Sequence, residues 1–248
     1  MRSTKIAVVI LAAGEGKRMN SDVPKVMHLL FGKPLIDHVV SHVEQANITD
    51  APVVVVSPNH TQVQGYLGTR ARYVTQQEQL GTGHAVATAH DVLKDAKHVM
   101  VLYGDMPFLK PASIMALAQT HLEEGNTITL ATVKTQFEQG ADSLLYDFGR
   151  IIRDEKGQIV DSVELKDATP EQAAMTEVNP CYYCFDAAWL WEHAHKLERN
   201  NAQGEYYLTD LVRLAVQEGD HLGSVDIEAS EAIGINSKED LMKAEARV

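Results

Sequence analysis

The residues with the clearest chemical potential lie in a glycine-rich loop near the start of the chain. Residues 11–28 read LAAGEGKRMNSDVPKVMH and follow an apolar run that is typical of a buried strand. Gly14 and Gly16 can adopt torsions that other residues avoid, so backbone N–H groups can turn inward around an anion. The loop also carries three basic residues, Lys17, Arg18 and Lys25. The sequence therefore predicts a loop that can wrap a triphosphate.

The spacing of this loop differs from that of two better-known phosphate-binding loops. A Walker A loop requires G-x-x-x-x-G-K-[ST], and a dinucleotide fingerprint requires a third small residue where this chain has Met19. Both classes are therefore excluded. Taken alone, the loop also fits an ordinary glycine-rich turn with lysines on the surface, so other motifs must decide between the two interpretations.

A carboxylate follows a second apolar run, at residues 98–103. Tyr103, Gly104 and Asp105 come where this strand ends, and in a parallel sheet that end lies at the same edge as the glycine-rich loop. Asp105 can hold Mg²⁺ against phosphate oxygens there. It can equally cap the turn before Pro107, and the residue alone leaves both interpretations open.

A second glycine-containing turn, residues 76–85, reads QQEQLGTGHA and enters a helix. Amide side chains and free backbone N–H groups at the start of a helix can bind a base edge or a phosphate. Gln76 carries both a donor and an acceptor, as recognition of uracil requires. Thr82 as a plain N-cap is the alternative interpretation of the same turn.

The apolar pattern predicts an α/β fold in which strands and helices alternate, giving a mostly parallel mixed sheet with helices on both faces. The expected strands of the first half are 5–11, 52–57, 71–75, 98–103 and 127–133, and the expected helices are 34–45, 60–67, 82–93 and 111–124. The second half is expected to be a β-rich elaboration, with strands at 149–153, 158–164 and 177–185 and helices at 187–199, 205–217 and 237–247.

Composition narrows the class of protein further. A net charge of −12 argues against a nucleic-acid or anionic-membrane surface. The apolar run 6–13 is too short to span a bilayer, so we expect a cytoplasmic protein. Cys181 and Cys184 alone cannot complete a structural zinc site, and we interpret them as ordinary reduced residues. No linker or long-period repeat supports two domains.

Taken together, these motifs resemble those of the sugar-1-phosphate nucleotidyltransferase superfamily, both in their residues and in their order along the chain. The match is closest to the bacterial N-acetylglucosamine-1-phosphate uridylyltransferase family, at its N-terminal pyrophosphorylase domain. Further matching segments are FGRI at 148–151, VE at 163–164, EVN at 177–179, NAQGEYYLTD at 201–210 and GIN at 234–236. The resemblance implies a Rossmann-like nucleotidyltransferase fold in one domain, 1–248, with a nucleotide-binding half (1–134), a sugar-binding half (135–236) and a C-terminal helix (237–248).

The resemblance also implies a reaction. UTP and N-acetylglucosamine 1-phosphate would give UDP-N-acetylglucosamine, a cell-wall precursor, and pyrophosphate, with Mg²⁺ as cofactor. A sugar phosphate oxygen attacks the α-phosphorus directly, so alignment and charge neutralisation suffice. Three alternatives remain: another hexose 1-phosphate such as that of N-acetylgalactosamine or glucose, a cytidylyl- or guanylyltransferase, and a non-catalytic nucleotide-sugar-binding protein.

The matching positions assign candidate site residues. The catalytic candidates are Arg18 and Lys25, and the metal ligands are Asp105 and Asn236. The nucleotide-binding candidates are Leu11, Ala12, Ala13, Gly14, Gly16, Lys17, Gln76, Gly81 and Thr82. The sugar-binding candidates are Tyr103, Gly104, Gly149, Glu164 and Asn179.

The chain departs from the family pattern at three places. Pro180 and Cys181 stand where the family usually has a small residue and then glycine, which adds volume near the expected sugar site. Residues 136–148 read QFEQGADSLLYDF, an insertion-like variant near the same site. No hexapeptide repeat occurs before Val248, so we expect no acetyltransferase activity, and the family's trimer cannot be carried over.

Overall fold

A mixed β-sheet with buried apolar strands at its middle forms the centre of the fold. The computed structural model describes residues 6–137 and 144–246, apart from the Lys17 side chain. Within them the strands are β1 Ala7–Ala12, β2 Leu29–Leu30, β3 Lys33–Pro34, β4 Val53–Val56, β5 Arg72–Thr75, β6 His98–Tyr103, β7 Ile128–Lys134, β8 Gly149–Arg153, β9 Ile159–Val163, β10 Glu177–Asn179, β11 Tyr183–Asp186 and β12 Leu222–Asp226. The α-helices there are α1 Leu35–Ala46, α2 Thr61–Leu67, α3 Thr82–Ala87, α4 His90–Leu93, α5 Pro111–Glu124, α6 Pro170–Ala173, α7 Ala187–His193, α8 Asp210–Glu218 and α9 Lys238–Glu245.

The order of strands across the main sheet is β5-β4-β1-β6-β11-β7-β10-β8-β9, and β12 also pairs with β7. The first four strands of this order are parallel to one another. β11 lies antiparallel between β6 and β7, so those two strands run in the same direction without touching. β2 and β3 form a separate hairpin. The predicted α/β class and mixed sheet are confirmed.

The strands at the centre of the sheet are buried on both faces, as their unbroken apolar runs predict. All four valines of β4 are buried, and β1 divides its side chains between two cores. Val8 and Ile10 pack with α1, α2 and α5, whereas Val9 and Leu11 pack with α3, α7 and α8. Helices therefore cover both faces of the sheet.

Several predicted boundaries are wrong, for local reasons. The helix expected at 82–93 is divided into α3 and α4. The strand expected at 177–185 is interrupted, because Pro180 has no N–H to donate and Cys181 has a φ of +63°. The helix expected at 187–199 ends at His193, and β12 was not expected at all.

The helix expected at 205–217 begins only at Asp210, because the preceding residues make other backbone contacts. The Tyr206 amide donates to the Leu80 carbonyl at 2.8 Å, and the Tyr206 carbonyl accepts from the Gly83 amide at 2.8 Å. The closing helix is confirmed, with Ser237 accepting a hydrogen bond from the Asp240 amide as its N-cap. Within the described ranges, no helix combines the length and apolarity needed to cross a membrane.

Candidate active site

A cleft of about 690 Å³ opens at the carboxyl edge of the parallel strands. Leu11 on β1 pairs with Tyr103 on β6, so the glycine-rich loop and the turn carrying Asp105 leave the sheet side by side. Thirteen of the predicted site residues line this cleft: Leu11, Ala12, Ala13, Gly14, Gly16, Arg18, Lys25, Gln76, Gly81, Thr82, Tyr103, Asp105 and Asn236. The topology thus brings together side chains that lie far apart in the chain.

The glycine-rich loop is shaped by one of its two glycines. Gly16 has a φ of +62°, and a Cβ atom added there would lie 2.8 Å from the Lys25 Cβ atom. Gly16 therefore allows the loop to pass close to Lys25. Gly14 is outside the left-handed region and has open space around it, so the expectation that both glycines adopt such torsions is wrong for Gly14. The Lys17 side chain lies outside the described part of the chain.

In the rest of the loop, Met19 points into the core and Arg18 is exposed to solvent. Met19, the residue that breaks the dinucleotide fingerprint, is fully buried, and its amide donates to the Gly16 carbonyl at 2.8 Å. Met19 therefore anchors the loop against the core. Arg18 is exposed and lines the cleft, so its guanidinium is available to an anionic ligand.

Gln76 is held at the other end of the cleft by the turn that follows it. Its side chain is buried, and Nε2 lies 3.2 Å from the Gly81 carbonyl oxygen and 3.1 Å from Nδ1 of His84. The helix begins at Thr82 with Gly81 in the N-cap position, so Thr82 is not the N-cap. Instead, the Thr82 hydroxyl accepts a hydrogen bond from the Leu208 amide at 3.0 Å. The contact between His84 and Gln76 helps to hold the Gln76 amide in place, a role for His84 that the sequence did not indicate.

A cluster of three polar side chains lies beside the glycine-rich loop. The Lys25 ammonium forms an ion pair with Asp105 Oδ2 and donates to Asn236 Oδ1 at 3.0 Å. The Ile235 amide donates to the Asp105 carbonyl at 2.9 Å and so fixes Asn236 next to that turn. Among the described residues no group of three or more His, Cys, Asp or Glu side chains can hold a metal ion. A metal here would therefore take further ligands from water and substrate.

The structure places the predicted sugar-binding residues differently from the others. Tyr103 lines the cleft, whereas Gly104 is buried beneath it. A Cβ atom on Gly104 would lie 2.8 Å from Ile36 Cδ1, so this glycine serves close packing. Gly149, Glu164 and Asn179 are not on the cleft wall.

The polar groups of Glu164 and Asn179 are engaged within the protein. Glu164 accepts a hydrogen bond from the Thr209 hydroxyl at 2.9 Å, and burial raises the pKa of its carboxyl. The Asn179 amide donates to Ser162 Oγ at 2.8 Å and to the Tyr183 hydroxyl at 2.6 Å. Asn179 Oδ1 accepts from the Cys181 amide at 2.8 Å. Asn179 therefore stabilises the turn that contains Cys181.

Four polar residues of the cleft wall were not predicted from the sequence: Glu15, Gln79, Gln203 and Glu205. The last two belong to the NAQGEYYLTD segment, which resembled the family without a role for any single residue. Gln203 donates to the Tyr207 hydroxyl at 2.8 Å and accepts from Lys166 at 2.7 Å. The polar residues of this segment were the feature of the sequence from which these two cleft residues could have been predicted.

Comparison with known proteins identifies the class. Residues 8–214 match the model of the MobA-like NTP transferase domain, and the chain belongs to this family. Among curated proteins, the chain is 42% identical over 247 residues to the bifunctional protein GlmU of Symbiobacterium thermophilum, covering 98% of this chain and 51% of that protein. GlmU of Thermoanaerobacter pseudethanolicus is 39% identical over 240 residues, covering 97% and 51% respectively. The chain thus spans about half the length of these relatives, and the family resemblance predicted from the sequence is confirmed.

Solved structures share the fold at low sequence identity. A UDP-glucose pyrophosphorylase complexed with UDP-glucose superposes with a TM-score of 0.78 at 18% identity, covering 98% of this chain and 97% of that one. A putative glucose-1-phosphate thymidylyltransferase from Bacillus anthracis, in complex with a sucrose, gives a TM-score of 0.75 at 17% identity, covering 97% and 94%.

Proposed function

We propose that this protein transfers a uridylyl group from UTP to N-acetylglucosamine 1-phosphate, giving UDP-N-acetylglucosamine and pyrophosphate. The observation that carries the proposal is the single cleft in which Arg18, Gln76 and the Lys25–Asp105 pair converge. The GlmU relatives and the shared fold support a sugar-1-phosphate nucleotidyltransferase, and the choice of UTP and of this sugar rests on the resemblance of the sequence motifs. Because UTP is a cytoplasmic metabolite, we also propose a cytoplasmic location.

The proposed chemistry needs no protein nucleophile. A phosphate oxygen of the sugar 1-phosphate forms a bond to the α-phosphorus of UTP. The bond from that phosphorus to the bridging oxygen of the β-phosphate breaks, and pyrophosphate leaves with the electron pair. Backbone amides of the loop, with Lys17 and Arg18, bind the leaving pyrophosphate, while Lys25 lies where the phosphates of the two substrates meet.

Recognition of the base is assigned to Gln76. Its amide is buried and oriented by Gly81 and His84, so its direction is fixed before a ligand arrives. The contacts with Gly81 and His84 engage Nε2, so Oε1 is the atom left to accept from the ring N3–H of uracil, where cytosine presents an acceptor instead. A preoriented amide costs little entropy on binding and therefore favours selectivity for UTP.

Asp105 and Asn236 are the residues that would hold Mg²⁺. Their oxygens already converge on one cation, the Lys25 ammonium, and a carboxylate with an amide oxygen suits a hard divalent ion that keeps several waters. When bound, the ion would neutralise charge on the phosphates. The carboxylates of Glu15 and Glu205 also line the cleft, so a triphosphate needs more positive charge than Arg18 and Lys25 supply.

A different hexose 1-phosphate is the second candidate substrate, and Cys181 is the observation that favours it. Burial and then the neighbouring Glu164 carboxylate raise the pKa of the Cys181 thiol, whereas a hydrogen bond with the Tyr103 hydroxyl lowers it. Cys181 thus lies next to Tyr103, the proposed sugar-binding residue on the cleft wall, and has a side chain where the family usually has glycine. Because Gly104, Gly149, Glu164 and Asn179 do not line the cleft, we propose that they support the sugar site rather than contact the sugar.

Release of pyrophosphate tests the proposal. UTP, CTP, GTP and dTTP are each combined with a panel of sugar 1-phosphates, with Mg²⁺ or with EDTA. We expect the highest rate with UTP, N-acetylglucosamine 1-phosphate and Mg²⁺. If this sugar phosphate were among the poorest substrates, the sugar assignment would be wrong, and preference for another nucleotide would refute the role of Gln76. Folded protein that binds UDP-sugar without any turnover would be a binding protein instead.

The metal role needs its own pair of variants. Asp105→Asn should abolish Mg²⁺-dependent turnover because the carboxylate is one of two proposed protein ligands. Asp91→Asn is the matched control, since the Asp91 carboxylate is 98% exposed on α4 and does not line the cleft. Unchanged turnover in Asp105→Asn would remove the proposed metal role.

A further inference from the structure

The two oxygens proposed to hold a metal are already paired with a cation of the protein itself. The Lys25 ammonium contacts Asp105 Oδ2 and lies 3.0 Å from Asn236 Oδ1. The Lys25 and Asp105 side chains are only 16% and 14% exposed. The pair is therefore shielded from water, and its attraction is stronger than that of a surface ion pair.

The backbone around Lys25 fixes this arrangement. Pro24 precedes a short 3-10 helix, Lys25–Met27, in which Val26 is buried and packs in the core. On the other side, Gly16 passes so close to the Lys25 Cβ atom that a side chain at Gly16 would collide with it. The root of the lysine side chain is thus held in place, while its long methylene stem can still carry the ammonium elsewhere.

A divalent ion and an ammonium group cannot occupy the same two oxygens. Two like charges at contact distance repel strongly in a partly buried site, so a metal can bind between Asp105 and Asn236 only after Lys25 has moved away. A displaced ammonium group needs another anion, and the phosphates of a nucleotide in the same cleft are the partner that the proposed function supplies.

We propose that Lys25 is an internal cation that closes the Asp105–Asn236 site to divalent metal in the free protein and releases it when a nucleotide phosphate attracts the ammonium. The proposal rests on the proposed function, because it requires a phosphate ligand in this cleft. It makes metal and nucleotide bind as a coupled pair, each strengthening the binding of the other by the same factor. Lys25 then serves two anions in turn, the carboxylate first and the phosphate later.

Binding of Mn²⁺ to the nucleotide-free protein, followed by electron paramagnetic resonance, tests the proposal without turnover. Lys25→Met should bind Mn²⁺ at least tenfold more tightly than the wild-type protein, because the competing cation is gone. Lys25→Gln, which keeps the length and polarity but not the charge, should also bind more tightly and serves if Lys25→Met folds poorly.

Arg18→Met is the matched control, because it removes an exposed positive charge from the same cleft without touching Asp105 or Asn236. We expect it to change Mn²⁺ affinity less than threefold, since exposed charges are screened. Equal tightening by Arg18→Met and Lys25→Met would overturn the proposal, as general electrostatics would then account for the effect. Unchanged affinity in both neutral Lys25 variants would overturn it as well.

Adding Asp105→Asn to Lys25→Met separates this proposal from the proposed function. Loss of the tight Mn²⁺ binding in the double variant is expected and locates the ion at Asp105. If the wild-type protein and Lys25→Met bind Mn²⁺ equally, and if Asp105→Asn abolishes that binding in both, Asp105 is a metal ligand but Lys25 does not compete with the metal. Tight binding that survives Asp105→Asn would contradict both, because the ion would then lie elsewhere.

Discussion

The replacement Gly81→Ala tests how the turn that orients Gln76 is built. Gly81 has a φ of +114°, and a Cβ atom there would lie 2.6 Å from the carbonyl oxygen of Tyr206 and 2.7 Å from its amide nitrogen. Both are backbone atoms, and the Tyr206 backbone is itself bonded to Leu80 and Gly83. No side chain can rotate to relieve this collision, so one of the two chain segments must move.

The expected cost has two parts. A non-glycine residue at such a torsion costs about 1–3 kcal/mol, and forcing an extra carbon into a packed contact costs about 1–3 kcal/mol. Gly81→Ala should therefore lower the free energy of unfolding by about 2–6 kcal/mol, the sum of these two ranges. Gly125→Ala is the control for a positive φ without a collision, because Gly125 is left-handed, with a φ of +65°, and has no heavy atom within 4 Å of the added Cβ. We expect that control to cost about 1–2 kcal/mol.

Urea unfolding of both variants and of the wild-type protein measures the two costs. Calorimetric titration with UTP adds a functional readout, because the Gly81 carbonyl accepts from Gln76 Nε2 and should lose that geometry in Gly81→Ala. Gly125 lies at the far end of α5, so its variant should bind UTP like the wild type. Equal losses of stability in the two variants would contradict this prediction, since the contact with Tyr206 would then cost nothing.

Three further predictions concern other polar groups. Gln76→Ala should raise the KM for UTP at least tenfold and reduce the preference for UTP over CTP; an unchanged preference would show that Gln76 does not recognise the base. Arg150 is buried against the rings of Phe137 and Tyr146, at 4.7 and 5.1 Å from their centroids, and donates to three backbone carbonyls. Arg150→Met should therefore lower the free energy of unfolding in urea by about 3 kcal/mol, and a loss under 1 kcal/mol would contradict this. Burial and the neighbouring His98 lower the pKa of His121 from 6.5 to about 4, so the folded state holds the neutral ring. The contribution of His121 to the free energy of unfolding should therefore be largest above pH 6.5 and should fall by up to about 3 kcal/mol as the pH drops towards 4. His121→Gln should make the free energy of unfolding less dependent on pH, as measured by unfolding curves at pH 7 and 5.

The sequence predicts the parallel part of the sheet and one edge of the site well, because both follow from local pattern. The apolar runs of β4 and β6 identify buried strands, and the shared direction of β1 and β6 places Asp105 beside the glycine-rich loop. Periodicity and strand direction are properties of short segments, so they survive without knowledge of the rest of the chain.

The contacts that complete the site depend on residues distant in sequence and could not be predicted from local pattern. Lys25 and Asn236 are 211 residues apart, and their hydrogen bond arises from packing of the segment before α9. Resemblance to the family supplied Asn236 as a candidate, but not its contact with Lys25. Likewise, Tyr206 is not helical as predicted, because its backbone forms hydrogen bonds with Leu80 and Gly83 in the turn around Gly81. Tertiary contacts override helix propensity in such segments.

The position of β11 has a consequence for how the chain can be divided. This strand comes from residues 183–186 yet lies between β6 and β7, two strands of the first 134 residues. A fragment ending at residue 134 would lack the strand that joins β6 to β7, and it would expose unpaired edges on both. Residues on both sides of position 134 therefore share one hydrogen-bonded sheet. During synthesis, β11 must be made before β6, the strand that precedes Asp105, gains its second neighbour, so this part of the sheet is completed only after residue 186.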